Sequence, residues 1–384
     1  MIRSIVTAAA ALAGCYAISV SAAAPVSPPV RDYFSDKFEI ERVLDWGDRP
    51  VFSPDSKKIA FTKDDELLGP AYEMDLATRT VKCLTCKWGA GGYVSRIYYL
   101  ADGSYLISGP ASLETAEAKP GAKPERYGTT YLYWMPADAS LPPQALSAHA
   151  VGEVALDYDR STPGSDRIAW GEMEPKHRML MGHVVNDGKR AYLTDRTLLL
   201  SDPESDPASK VTFIETYDFI DEGKAILFFT VEKDRPFNGM YKLDIATGKT
   251  TPMPTDAQHN ETHSFPNLRY GLEETNRASD PSSPYKGVSG HRPHLLSFLL
   301  KQQGVADPDA VAKKYGGKTF DLYVQDWQTG KRRQLTNVSK GGAEAHQSTP
   351  ARDGQHIAFS LQGRSSKEYA GKDGLYIGTF SPSK

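Results

Sequence analysis

Beyond residue 37 the chain is a succession of short apolar runs cut by turn residues. The runs are consecutive rather than alternating: Ile59-Ala60-Phe61, Tyr105-Leu106-Ile107, Ile168-Ala169-Trp170, Ala225 to Val231. Such runs, bounded by Asp, Gly and Ser, predict strands covered on both faces. The same polar turn leads into each. It is Ser53-Pro54-Asp55-Ser56-Lys57-Lys58 before Ile59, and it returns at Ala101–Ser104, Asp166-Arg167, Asp221–Lys224, Pro266–Arg269 and Arg352–Gln355. Several copies continue into a second pair of strands joined by a Thr-Gly turn, as in Asp244-Ile245-Ala246-Thr247-Gly248 and Asp326-Trp327-Gln328-Thr329-Gly330. Glycine at such a corner accepts the positive φ that a tight hairpin demands. Each unit therefore reads as a four-stranded antiparallel sheet.

Repeated sheets of this kind, covered on both faces, predict an all-β chain folded as a six-bladed β-propeller. Six blades at roughly 42 residues leave room for long loops. The last copy is one strand short, because only Leu375–Phe380 follows Ile357–Phe359. Upstream of the first blade lies an unassigned segment, Phe38–Leu44. We expect it to complete the last blade and close the ring, removing an edge that would otherwise be open to pairing with another chain.

The Ser-Pro-Asp-x-x-x-Ile-Ala-Phe turn, the Asp-x-x-Thr-Gly corner and the Leu-Thr ending together resemble the WD40-like (PD40) repeat of TolB-type propellers. The resemblance covers nearly all of residues 38–380. It implies fold more than chemistry, since such propellers serve as scaffolds, binding modules and enzymes. Cys83-Leu84-Thr85-Cys86 resembles the ending of some PD40 repeats and is expected to be a local disulfide, as an oxidising compartment would favour.

The first residues change the picture of where the chain works. Arg3, an uncharged apolar stretch from Ile5 to Val20, and small residues through Ala24 follow the order of a secretory signal. The expected organisation is a signal peptide at 1–24, a lead-in at 25–37 and one propeller domain at 38–384. The destination is the periplasm or the exterior. Leu12-Ala13-Gly14-Cys15 also resembles a lipobox, so lipidation at Cys15 is the alternative. The signal stretch apart, no apolar run is long enough to span a membrane. The 384 residues carry a formal charge of -3, and losing Arg3 with the signal makes this -4, which argues against nucleic acid as a partner. Three cysteines exclude a disulfide scaffold. A monomer with a protein or carbohydrate ligand is expected.

Long loops are expected at 110–127, 172–196 and 276–318, all on the face where each blade's strand two ends and the next blade's strand one begins. Histidines concentrate there: His259 and His263 in strand one of blade five, His346 in strand one of blade six, His177 and His183 in the blade-three segment, and His291 and His294 in the blade-five loop. Residues two apart on a strand share a side, which brings His259, Glu261 and His263 together. With His346 and Gln347 they are candidate ligands for a divalent metal (Mn, Zn or Ca). His263, His346, Arg277 and His177 are the candidate catalytic groups of an alternative function, a metal- or His-dependent polysaccharide (uronate) lyase or hydrolase. Glu273, Glu274 and Arg277 are expected in surface or inter-loop salt bridges. Gly287-Val288-Ser289-Gly290-His291 lacks the last glycine of a nucleophile elbow, and neither a P-loop nor a dinucleotide fingerprint occurs. The primary expectation is an exported propeller that binds a ligand or partner on its loop-rich face.

Overall fold

The structure is a computed structural model. It describes residues 31–63, 68–88, 93–110, 130–172, 178–201, 211–232, 239–255, 259–266, 269–278, 296–297, 300–301, 304–316, 319–363 and 366–383. Strand β1 (Lys37–Leu44) comes first in the chain and is used last in the ring. Blade one is β2 (Asp48–Phe52), β3 (Lys58–Thr62), β4 (Gly69–Asp75) and β5 (Val81–Cys83), with the short β6 (Tyr93–Val94) pairing the start of β4. Blade two is β7 (Arg96–Tyr99), β8 (Tyr105–Gly109), β9 (Thr130–Met135) and the first half of β10 (Gln144–Leu156). The second half of β10 crosses over to start blade three, followed by β11 (Ser165–Glu172), β12 (Arg178–Asn186) and β13 (Ala191–Ser201). Blade four is β14 (Val211–Ile220), β15 (Ala225–Glu232), β16 (Gly239–Asp244) and β17 (Thr250–Pro252). Blade five is β18 (His259–Ser264), β19 (Tyr270–Thr275), β20 (Asp321–Asp326) and β21 (Arg332–Gln334). Blade six is β22 (Glu344–Pro350), β23 (His356–Gln362), β24 (Gly374–Ser381) and β1.

The chain is thus a six-bladed β-propeller. The innermost strands of neighbouring blades pack in sequence around the ring, β14 on β10, β18 on β14, β22 on β18 and β2 on β22. The closure falls where the missing strand predicted it: Phe38 pairs with Phe380, Ile40 with Gly378 and Arg42 with Tyr376.

The repeated turns have one physical cause. Asp75, Asp244 and Asp326 each accept backbone N–H groups two and three residues on, which fixes the corner. The following residue is left-handed: Gly248 at φ 68°, Gly330 at φ 71° and, in the degenerate first copy, Arg79 at φ 58°. Arg79 is also tied to Glu41 of β1 at 2.9 Å.

Between blades the filling is apolar and aromatic. Leu106, Trp134, Trp170 and Val184 join blades two and three, and Phe228, Ile226 and Ile214 meet Ala169 and Met179 between blades three and four. Tyr33, in the lead-in, is buried among Phe265, Tyr270 and Phe380, and its hydroxyl donates to the Gly354 carbonyl at 2.9 Å. The lead-in therefore pins blade five to blade six.

One expectation about loops is revised. The 172–196 stretch is not a loop: after residues 173–177 it carries strands three and four of blade three, because Arg178–Asn186 pairs along its length with β11 and with β13. His183 accordingly lies on β12 opposite Arg167, with Nδ1 3.8 Å from Asp195, away from the channel. The blade-five insertion does separate β19 from β20, and it contains a helix at Pro308–Tyr315 capped by Asp307. Its Leu296, Leu300 and Ala312 are buried against Tyr217, Leu227 and Phe229 of blade four. Residues 111–129 of the blade-two loop, with His177, His291 and His294, lie outside the described residues, as does the N-terminal segment through residue 30. Among the described residues no helix is long and apolar enough to cross a membrane.

Candidate functional site at the channel mouth

Each blade's strand one lines the central channel, and each brings an ionisable side chain to it near its start. These are Asp48 and Arg49 in blade one, Arg96 in blade two, Glu153 in blade three, Glu215 in blade four, Glu261 and His263 in blade five, and Glu344 and His346 in blade six, all buried. Glu274, at the end of β19, adds a further buried carboxylate. Antiparallel pairing sets the start of strand one beside the end of strand two, as His259 pairs with Thr275. The blade-five insertion leaves the sheet at that point, so it departs from the charged end of the channel.

The inner strands are not regular. Their pairing with strand two slips between Asp48 and Val51, between Val151 and Val154, between His259 and Thr262, and between His346 and Thr349. Bulges of this kind re-aim side chains and recur next to functional sites. Arg49 (φ 55°) and Gln347 (φ 54°) occupy matching positions in two of them in the left-handed region, which costs a side-chain-bearing residue about 1–2 kcal/mol.

Two groups form in the channel. In the first, Arg96 is ion-paired with Glu153. His263 stands between two carboxylates, with Nε2 3.7 Å from Glu153 Oε2 and Nδ1 3.3 Å from Asp218 Oδ2. Its ring meets Tyr217 edge-on at 5.2 Å. Gln347 Nε2 donates to Glu261 Oε1 at 3.2 Å. Glu215 accepts from the Glu153 backbone N–H at 2.9 Å and from the Tyr217 hydroxyl at 3.1 Å. Ligand atoms of Glu153, Glu261 and His263 all lie within 4.8 Å of one another. In the second group His346 lies 3.5 Å from Glu344 and 3.8 Å from Asp48.

Burial and crowding set the protonation of these groups. Burial, then the neighbouring Glu261 and Glu153, pushes Glu215 up to about 8. Burial also raises Glu261, against the pull of Arg96. It raises Glu274 well above the carboxylate range, with Glu261 adding to the effect. For His263, burial works to lower the pKa but Asp218, Glu153 and Glu261 outweigh it and lift the ring to about 9. Burial opposes the Asp48 carboxylate too, yet His346 and Arg49 hold it below its ordinary value.

Several expectations for individual residues are changed. Glu261 and His263 do come together, but the bulge at Asn260-Glu261 breaks the simple two-residue alternation that was to align them with His259. Of His259 only its backbone place at the head of β18 is described. His346 is drawn to Glu344 and Asp48 rather than to His263, while Gln347 reaches Glu261. Glu273 and Glu274 are not surface groups. Both are fully buried, Glu273 bonded to Arg332 at 2.9 Å and Glu274 accepting the Ser348 N–H at 2.7 Å, because β19 is a second strand packed inside the ring. Arg277 sits just past β19, its guanidinium 6.0 Å over the Tyr323 ring. Cys83 and Cys86 are joined by a disulfide. Sequence reasoning passed over Glu153, Glu215 and Arg96. The available signal was a charged residue inside each blade's first apolar strand.

Fold and site together define a closed propeller whose channel mouth is ionisable from every blade. No family profile and no curated protein matches the chain. Among solved structures it is similar to a TolB-type protein of Agrobacterium tumefaciens, with 12% identity over 91% of this chain and 99% of that one and a TM-score of 0.47. It is likewise similar to an oligogalacturonate lyase in complex with manganese (12% identity, 88% and 78% covered, TM-score 0.44) and to TolB of Acinetobacter baumannii (9% identity, 86% and 62% covered, TM-score 0.39). The six blades rest on the strand pairing described above.

Proposed function

We propose that the chain is an exported β-propeller that binds a protein or carbohydrate ligand on the face where its insertions leave the blades, with the channel mouth as the recognition point. The observation that carries this reading is the coincidence of two features at one end of the channel: charged side chains from all six inner strands, and the departure of the blade-five insertion. Carboxyl groups from five of the six blades line it, which favours a ligand presenting several hydrogen-bond donors. Export to the periplasm or beyond, as a soluble protein or through a lipidated Cys15, is supported by the sequence of residues 1–24, and the mass of the processed N-terminus tests it. Capture from a cell-envelope extract tests the binding. The unaltered protein is expected to retain a specific partner that the Glu153→Gln, Glu261→Gln double variant loses, and capture of the same species by both would refute the assignment to the channel mouth.

The second reading is a metal- or His-dependent lyase acting on uronate-containing polysaccharide at the same mouth. It is favoured by His263, whose two ring nitrogens are each faced by a carboxylate. Failure to generate unsaturated products from a panel of uronate glycans, with Mn, Zn or Ca supplied, would remove it.

A further inference from the structure

Four carboxylates, those of Glu153, Glu215, Glu261 and Glu274, are buried in the channel wall around Arg96 and His263. Buried charge is tolerated when it is paired or when it coordinates an ion. The pairing within this group is incomplete: Glu261 Oε2, Glu274 Oε2 and the amide oxygen of Gln347 are buried and accept no hydrogen bond among the described residues. Glu261 is 8% exposed, and a ligand atom of its carboxylate belongs to the cluster with Glu153 and His263.

The donors are also oriented. Asp218 takes the Nδ1 side of His263 at 3.3 Å, which turns Nε2 toward Glu153 Oε2. A carboxylate on the far nitrogen is how a metal-binding imidazole is held in its tautomer and direction. Asp218 is itself anchored by the Ser264 N–H at 2.7 Å. The 3.7 Å from Nε2 to Glu153 is too long for a hydrogen bond. It is close to the roughly 3–3.6 Å that separates two ligands of one ion bound at about 2.1–2.2 Å. Gln347 donates to one oxygen of Glu261 and leaves the other buried without a hydrogen bond among the described residues. Its left-handed backbone in the β22 bulge is what aims it there.

We propose that Glu153, Glu261 and His263, oriented by Asp218 and Gln347, bind a divalent transition-metal ion inside the channel mouth. One imidazole and two carboxylates, with no thiolate, select Mn2+ or Zn2+ over soft ions. The ion would take the place of a proton on His263 Nε2 and bring added positive charge to the crowded carboxyls of Glu153 and Glu261. This deepens the channel-face reading but has its own measurement.

Purified protein stripped with a chelator is titrated with Mn2+ and, separately, Zn2+ by calorimetry, with elemental analysis after desalting. One equivalent of one of these ions is expected to bind and to raise the melting midpoint. His263→Ala and Glu261→Gln each weaken it by about 100-fold or more, and Asp218→Asn by about 10–100-fold. His356→Ala, whose ring lies on Asp353 outside the channel, leaves it unchanged. Glu261→Gln removes one crowded charge at constant shape, so in ion-free buffer it melts no lower than the unaltered protein. Its loss of the ion is then not a failure to fold. No bound equivalent in the unaltered protein, or equal binding by it and by both ligand variants, overturns the proposal. Retention of an envelope partner by ion-free protein bears on the channel-face reading alone, so the two can fail separately.

Discussion

Closure of the ring makes a prediction that the coordinates size. Gly378, on β24, pairs with Ile40 of β1 on one side and Ile357 of β23 on the other. The Phe38 ring lies directly on it: a Cβ added at Gly378 would meet Phe38 Cζ at 2.4 Å, Cε2 at 2.5 Å and Ile357 Cγ1 at 2.9 Å. Phe38 is held in turn by Phe380, with ring centroids 4.7 Å apart. Gly378→Ala must displace that ring, an overpacking cost of about 1–3 kcal/mol. Removing a glycine's freedom in the unfolded chain offsets it by about 0.4–1 kcal/mol, so the net loss is about 1–2 kcal/mol. Phe38→Ala, at a half-buried site, costs about 2 kcal/mol, below the range for a fully buried ring. In the double variant the new methyl enters space the ring has left. The pair should therefore cost little more than Phe38→Ala alone, a coupling of about 1 kcal/mol. Urea unfolding with unchanged slope measures this, and thermal midpoints should move by roughly 1–2 °C per kcal/mol for a domain of this size. Costs that simply add, within about 0.5 kcal/mol, would mean that Phe38 does not cover Gly378 and that the first strand does not close the ring in this register.

Three further outcomes follow from buried polar contacts. Glu73 links blade one to blade two by accepting from Lys58 at 2.9 Å, Tyr99 at 3.0 Å and Tyr105 at 2.8 Å; Glu73→Ala strands two phenols and should cost about 2–4 kcal/mol in urea unfolding, with Glu73→Gln costing clearly less. Tyr33→Phe keeps the ring stack but orphans the buried Gly354 carbonyl, for a loss of about 1–2 kcal/mol in the same assay. Burial, with Asp102 nearby, lifts the Asp166 carboxyl to about 7 from its ordinary 3.8, against the Ala101 N–H that donates to it. The folded protein then holds a proton that the unfolded chain has lost, so stability should fall as pH rises from about 4 to 7, by at most about 4 kcal/mol. Asp166→Asn should flatten that decline and unfold at higher urea than the unaltered protein at pH 8, and an unchanged pH profile would show that Asp166 does not carry it.

The fold was legible because its signal is repeated and local. A polar turn followed by consecutive apolar residues is fixed by strand burial on two faces, and six copies leave few alternatives. Even the closure could be read, since a missing last strand and a spare first segment are both visible in the order of residues. The blade-three error has a specific origin. Arg178–Asn186 and Ala191–Ser201 contain His183, Asp195 and Arg196 and lack the standard Thr-Gly corner, so their pattern looks like a polar loop. What makes them strands is pairing that their own residues do not announce: Arg178–Asn186 with β11, and Ala191–Ser201 in turn with Arg178–Asn186. β10 was unreadable for a related reason. One 13-residue strand serves two blades, and the sequence marks no boundary where the pairing changes partner.

The site was harder to read, because the sequence marks residue types while the channel selects positions. Histidine frequency pointed to the right end of the molecule, yet only His263 and His346 among the described histidines enter the channel's ion pairs. The rest of the site is ordinary glutamate and arginine, indistinguishable in composition from surface charge. Glu153 sits in the run Val151-Gly152-Glu153-Val154-Ala155, and Arg96 precedes Ile97-Tyr98-Tyr99. A lone charge at the head of an otherwise buried strand is costly unless something meets it. In a propeller the first strands of all blades converge on one axis, so such charges meet one another. The useful rule is topological: charges placed early in the first strand of each repeat should be read as a single set. Applied here, that rule gathers Asp48, Arg96, Glu153, Glu215, Glu261 and Glu344. It also explains why bulges accumulate in these strands, because a regular pleat would point every second residue back between the blades, where no partner waits.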